Sequence, residues 1–128
     1  MSKKILLIED NPYDARLMMR ILEKHGYDVV HAEDATRGLE EAVTQQPDLV
    51  LLDMGLPDMD GQTVAALFRQ TPDLVNLPLI AVTAWPPDTA REMAEAYGCL
   101  GYISKPISAR TFPTRIANYL SNLATNEA

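Results

Sequence analysis

Leu49-Val50-Leu51-Leu52-Asp53-Met54-Gly55-Leu56-Pro57-Asp58-Met59-Asp60-Gly61 opens with four apolar residues in a row and stops on a carboxylate. An apolar run this short with no alternation suits a strand buried on both faces, the kind found at the centre of a parallel sheet. The Gly, Pro and Asp residues after Asp53 mark a loop rather than a continuing strand. The same pattern, an apolar run ending on a polar side chain, recurs along the chain. Ile5-Leu6-Leu7-Ile8 precedes Glu9 and Asp10, Leu79-Ile80-Ala81-Val82 precedes Thr83, and Tyr102-Ile103-Ser104 precedes Lys105. A further short strand is expected over Asp28 to Ala32.

Helical spacing fills the gaps between these runs. Leu17, Met18, Ile21 and Leu22 follow Asn11, a capping residue, and Pro12, which suits a first helical turn; His25-Gly26 closes that helix. Asp34 starts a second helix whose buried side should carry Ala35, Leu39, Ala42 and Val43, ending before Pro47. A third carries Val64, Leu67 and Phe68, and a fourth runs from Pro87 to Gly98. The last is expected to reach about Leu120. Ser108 reads as its cap, but Pro113 would then fall in the second turn, so the helix either starts late, near Phe112-Pro113, or begins with a distorted turn. Five strand and helix alternations predict a doubly wound α/β fold, a five-stranded parallel sheet in order 2-1-3-4-5 between two helical layers. One domain over 1–121 with a flexible tail over 122–128 is expected.

Composition narrows the function. The 128 residues carry 18 acidic and 11 basic side chains, a net charge of -7. That charge argues against nucleic acid as a partner. The apolar stretch Ile5 to Ile8 is far too short for a signal-peptide core or a membrane span, so no membrane contact and a cytoplasmic location are expected. The single cysteine, Cys99, reads as a small buried residue rather than a disulfide or zinc ligand.

If the runs are parallel strands, Glu9, Asp10, Asp53, Thr83 and Lys105 gather at the carboxyl edge of the sheet, where open α/β sheets bind ligands. Magnesium prefers oxygen ligands and is held by one or two carboxylates plus phosphate and water. Asp10 and Asp53 would supply those carboxylates, with Glu9 acting through a water. A carboxylate can also attack phosphorus to give an acyl phosphate, and Asp53 is the better placed candidate. Lys105 and Thr83 would neutralise or hydrogen-bond the phosphoryl oxygens, while Ala84 leaves the approach open. Asp34, Asp58, Asp60 and Asp88 read instead as cap or turn residues. His25 and His31 read as structural residues, and Met18, Met54, Met59 and Met93 as core or loop filling.

Ile5 to Asn11, Asp48 to Gly61, Ala81-Val82-Thr83-Ala84 and Gly101 to Pro106, in that order, closely resemble the receiver domain of two-component response regulators, the CheY-like, flavodoxin-like fold. The resemblance implies Asp53 as phosphoacceptor, Glu9 and Asp10 as magnesium acids and the Gly55 carbonyl as a backbone ligand. It implies Thr83 and Lys105 as phosphate-sensing residues, Tyr102 as a switch aromatic and a cis peptide at Lys105-Pro106. Gly55 and Trp85 occupy positions that tune the lifetime of the phosphoryl group. Tyr102 to Ser108 is similar to single-domain receivers of the cell-division and polarity type. The implied partners are a histidine kinase or histidine phosphotransfer protein and a downstream protein target read through the fourth helix, fifth strand and fifth helix. The chain would be a monomer or weak homodimer, and a switch that catalyses only its own phosphorylation and dephosphorylation. Two other classes share parts of this pattern: a pseudo-receiver that binds partners without phosphate, against which the full set of five site residues argues, and an aspartyl phosphatase of the haloacid dehalogenase type. The latter places its two acids two residues apart after the first strand and needs a cap domain.

Overall fold

The computed structural model describes residues 2–127. Five strands, β1 (Lys4–Ile8), β2 (Asp28–Ala32), β3 (Leu49–Asp53), β4 (Leu79–Thr83) and β5 (Gly101–Ser104), alternate with α1 (Pro12–Lys24), α2 (Ala35–Gln45), α3 (Gly61–Gln70), α4 (Pro87–Ala96) and α5 (Phe112–Glu127). The strands form one parallel sheet in the order β2-β1-β3-β4-β5, as the apolar runs require. Every residue of β3 and β4 is buried, which is why both read as unbroken apolar runs.

Alternation along the strands sorts the core into two layers. Leu6, Ile8, Val50, Leu52 and Ala81 face α2, α3 and α4, where Phe68 and Val64 are fully buried. Ile5, Leu7, Leu51, Ile80 and Val82 face α1 and α5, against Met18, Leu22, Phe112 and Ile116. The helix starts follow local chemistry. Asn11 Oδ1 accepts from the Tyr13 and Asp14 amides at 2.9 and 3.1 Å, Asp34 caps Arg37 N at 2.8 Å, and Asp60 caps Thr63 N at 2.8 Å. Gly98, at φ +76°, takes the left-handed conformation that ends α4, and Cys99 N then donates to Ala94 O at 2.8 Å.

Two details depart from the sequence pattern, and a third settles an alternative that it left open. Val43 is 42% exposed rather than core-facing. The buried stripe of α2 runs instead through Ala35, Gly38 and Ala42, because α2 lies so close to the sheet that a Cβ at Gly38 would sit 2.5 Å from the Ile8 side chain. The fifth helix takes the late start: Phe112 is its first residue, so Pro113 falls in the first turn, where its missing N–H costs nothing. Ser108 closes the turn before it, with its hydroxyl accepting from Thr111 N at 3.2 Å. The helix then continues past Leu120 to Glu127, since nothing from Ser121 to Glu127 is a glycine or proline that would stop it. Of the expected tail over 122–128, only residue 128 lies outside the described residues.

Phe68 fills the centre of the larger layer and is completely buried. Phe68→Ala should therefore cost about 3–5 kcal/mol of stability, read as a lowered urea midpoint with an unchanged m-value. Tyr13→Ala, at a side chain 79% exposed, should leave the midpoint within about 0.5 kcal/mol of wild type.

Candidate functional site

Parallel register assembles the site. Ile8 lies opposite Leu52 and Asp53 opposite Val82, so the chain leaves β1, β3 and β4 at the same edge of the sheet. Glu9, Asp10 and Asp53 each offer a carboxylate oxygen within 4.8 Å of the others. Lys105, one residue beyond β5, turns back over them. Its ammonium lies 2.9 Å from Glu9 Oε1, 3.3 Å from Asp53 Oδ1 and 3.5 Å from Asp14 Oδ2. The peptide after it, Lys105-Pro106, is cis, as the resemblance implied.

Burial and crowding decide the protonation states. Glu9 is completely buried, and burial, aided by the neighbouring Asp53 carboxyl, pushes its pKa up to about 7 against the pull of Lys105. Burial acts on Asp53 in the same direction, but hydrogen bonds from Glu9 and from Gly55 N, at 3.0 Å, together with the Lys105 charge, outweigh it. Asp53 is held below the ordinary carboxylate range. Lys105 is raised despite its burial, by its close contact with Glu9 and the two acidic charges. The pair is therefore asymmetric: one acid keeps a proton near neutral pH while Asp53 stays ionised, the form a nucleophile needs.

The donor set also suits a divalent cation. Glu9 Oε2 accepts from Asn11 N at 3.1 Å, but the fully buried Oε1 makes no hydrogen bond; the nearby Lys105 ammonium is its counter-charge without a well-directed contact. A buried oxygen left with a free lone pair beside two more carboxylates is what a hard ion with oxygen ligands satisfies. A Cβ added to Gly55 would lie 3.7 Å from Asp53 Oδ1, an ordinary contact, so the glycine leaves that side of Asp53 open without being sterically required.

Thr83 ends β4 and is 3% exposed; its hydroxyl accepts from Trp85 N at 3.0 Å. Trp85 itself is 44% exposed. Tyr102 is the second residue of β5 and pairs with Ala81, whereas Thr83 pairs with Ser104. By strand alternation Thr83 and Tyr102 lie on one face of the sheet, two residues apart along it. The histidines are structural, as expected: His31 Nε2 and His25 Nδ1 bond the Glu9 and Ile21 carbonyls at 2.8 and 2.9 Å. Asp58 is a cap, but for a distant helix. It accepts from the Ala35 and Thr36 amides at 3.0 and 3.1 Å and so ties the loop after β3 to the start of α2.

Sequence reasoning did not find Asp14, Arg115 or Tyr119. Asp14 could have been noticed as an acid one helical turn beyond Asp10, on the side where Lys105 arrives. Arg115 donates to the Tyr102 carbonyl at 2.6 Å and to the Tyr119 hydroxyl at 3.2 Å, and its guanidinium lies 5.3 Å from the Tyr102 ring centre. The Tyr119 hydroxyl bridges the amide and carbonyl of Tyr102, each at 3.2 Å, and a Cβ at Gly101 would collide with it. No local pattern announces such a clamp, because α5 and β5 meet only in the folded chain.

This fold and this edge define a receiver, and the comparisons agree. The model of the response regulator receiver domain matches residues 5–117, and the chain belongs to that family. It is 34% identical over 122 residues to the polar-differentiation response regulator DivK of Brucella ovis, covering 95% of this chain and 99% of that protein. A crystal structure of a putative response regulator from Chloroflexus aurantiacus superimposes with a TM-score of 0.87 at 26% identity, over 94% of this chain and 99% of that one. The BeF3-activated receiver domain of Klebsiella pneumoniae RstA does so with a TM-score of 0.82 at 30% identity, over 92% of this chain and 98% of that one. Members of this receiver family are generally signalling switches rather than metabolic enzymes. Among the described residues no helix is long and apolar enough to cross a membrane.

The raised Glu9 pKa has a definite sign. Between about pH 4.5 and 7 the unfolded chain gives up this proton while the folded chain keeps it, so metal-free stability should fall as pH rises through that window. The contribution from Asp53 is lost only below its ordinary value of 3.8, and that from Lys105 only above 10.5, so neither changes there. Urea midpoints taken with chelator at pH 5 and pH 7.5 should show the decline, at most roughly 3 kcal/mol. Glu9→Gln should flatten it.

Proposed function

We propose that this chain is a phosphoryl-accepting switch of a two-component relay, carried by one observation: the ionised Asp53 carboxylate sits 3.3 Å from the Lys105 ammonium inside a cluster of three acids. In this reading an Asp53 oxygen attacks the phosphorus of a phosphohistidine on a histidine kinase or histidine phosphotransfer protein. The P–N bond breaks, its electron pair passes to the imidazole nitrogen, and Asp53 carries an acyl phosphate. Lys105 and the Thr83 hydroxyl face the phosphoryl oxygens, and positioning with charge neutralisation is most of what such a transfer needs. Glu9, Asp10, Asp53 and the Gly55 carbonyl would hold Mg2+, which when bound supplies positive charge to the phosphoryl oxygens. The buried Glu9 Oε1, ion-paired with Lys105 but without a well-directed hydrogen bond, supports that assignment.

The output side of the proposal is the surface of α4, β5 and α5. Thr83, drawn to the phosphoryl group, releases its bond from Trp85 N and vacates space on the sheet face it shares with Tyr102. Phosphorylation then biases the position of the Tyr102 ring, and a downstream protein reads the change. The similarity to a polar-differentiation response regulator supports a regulatory role, and in this reading the receiver acts by binding other proteins. It would do so in the cytoplasm, as a monomer or weak homodimer.

Acetyl phosphate with magnesium should label wild type and leave Asp53→Asn unlabelled. Labelling that survives Asp53→Asn, or that persists undiminished with chelator, would reject the site. Because Trp85 N is bonded to Thr83, beryllofluoride with magnesium should also shift Trp85 fluorescence in wild type but not in Asp10→Asn; equal responses would remove Asp10 from metal loading.

A further inference from the structure

Lys105 is fixed by the backbone only at its base. Its amide donates to the Thr83 carbonyl at 2.8 Å, and beyond that a flexible four-carbon stem must bring the ammonium to one place at the sheet edge. Three carboxylates meet it there, Glu9 at 2.9 Å, Asp53 at 3.3 Å and Asp14 at 3.5 Å. Two of them are needed elsewhere once the site is loaded. Glu9 and Asp53 belong, with Asp10, to the group of acids that could share a cation, and Asp53 is also the residue that would carry the phosphoryl group. Asp14 is outside that group, so its contact is the one of the three that a bound ion or phosphoryl group does not claim.

Asp14 is itself held in place. Its amide donates to Asn11 Oδ1 at 3.1 Å, and Asn11 N donates to Glu9 Oε2 at 3.1 Å. One residue thereby fixes both the Glu9 carboxylate and the helical turn that carries Asp14. An acid in the first turn of a helix is commonly there for the helix dipole alone, and such an acid faces water. The Asp14 side chain is only 28% exposed, and it lies against a lysine side chain that is 19% exposed.

We propose that Asp14 is a positioning residue of the phosphoryl site, which anchors the Lys105 ammonium beside Asp53 while Glu9 and Asp53 engage metal and phosphoryl group. In this reading, which rests on Asp53 as the phosphoryl acceptor, Asp14 acts through Lys105 and not on the phosphoryl group itself. Without the anchor the lysine stem samples more rotamers, and fewer of them place its charge where the transfer needs neutralisation.

The test is a double-mutant cycle on the full chain, read as the initial rate of Asp53 labelling by acetyl phosphate at saturating magnesium. Asp14→Ala should slow labelling about two- to fivefold, the scale of a partly exposed ion pair. Asp14→Asn, which keeps an oxygen facing the ammonium, should fall between Asp14→Ala and wild type. In Lys105→Ala, itself slower, adding Asp14→Ala should change nothing further, because the anchor has nothing to hold. A residue that only supports the fold would slow both backgrounds alike, and that result would overturn the proposal, as would equal rates in wild type and Asp14→Ala. Faster labelling in Asp14→Ala would make the residue a charge that repels the phosphodonor, and would overturn it too. So would a magnesium midpoint, followed by Trp85 fluorescence, that weakens more than tenfold in Asp14→Ala, since Asp14 would then be a metal ligand. Failure of wild type to label at Asp53 would reject the acceptor reading and the anchor with it, whereas wild-type labelling unaffected by Asp14→Ala would reject the anchor alone.

Discussion

The Lys105 ammonium holds together an edge that electrostatics would otherwise push apart. Parallel pairing delivers the ends of β1 and β3 to one place, and those ends carry Glu9, Asp10 and Asp53. Like charges a few ångströms apart in a half-buried site cannot all stay ionised without compensation. Lys105 supplies it by contacting Glu9, Asp53 and Asp14 together, and the proton retained on Glu9 supplies the remainder. The site is thus stored in a state of partial neutralisation.

That arrangement depends on the sheet being rigid where the charges meet. β3 and β4 are buried along their whole length, and the two core layers clamp them from both sides. Close-packed interiors of this kind transmit small displacements rather than absorbing them. The loop after β3 is less free than its Gly and Pro content suggests, because Asp58 bonds the first amides of α2.

The edge strand β5 shows how a sheet boundary is protected. An open strand edge exposes unpaired amides and carbonyls and invites association. Here the Tyr119 hydroxyl and the Arg115 guanidinium occupy the free backbone groups of Tyr102. Gly101 is required beside them because any side chain there would strike Tyr119. The backbone of Tyr102 is thus held by two side chains of α5, while the residue itself stays half-buried.

The strands, their parallel sense and the gathering of Glu9, Asp10, Asp53, Thr83 and Lys105 at one edge were all legible in the chain, because each strand is a short apolar run and each site residue is the polar residue that ends or directly follows it. Capping carboxylates such as Asp34 and Asp60 were legible for the same reason: their partners are three residues away. What could not be read were relations between elements distant in sequence. Asp14 meets Lys105, Asp58 caps a helix 22 residues before it, and Arg115 reaches Tyr102 only because α5 packs against β5. The exposure of Val43 and the burial of Gly38 depend on how closely α2 approaches Ile8, and the pKa of Glu9 on the burial that only the closed sheet provides. Local chemistry sets where elements begin and end, whereas packing geometry sets which side chains share a charge.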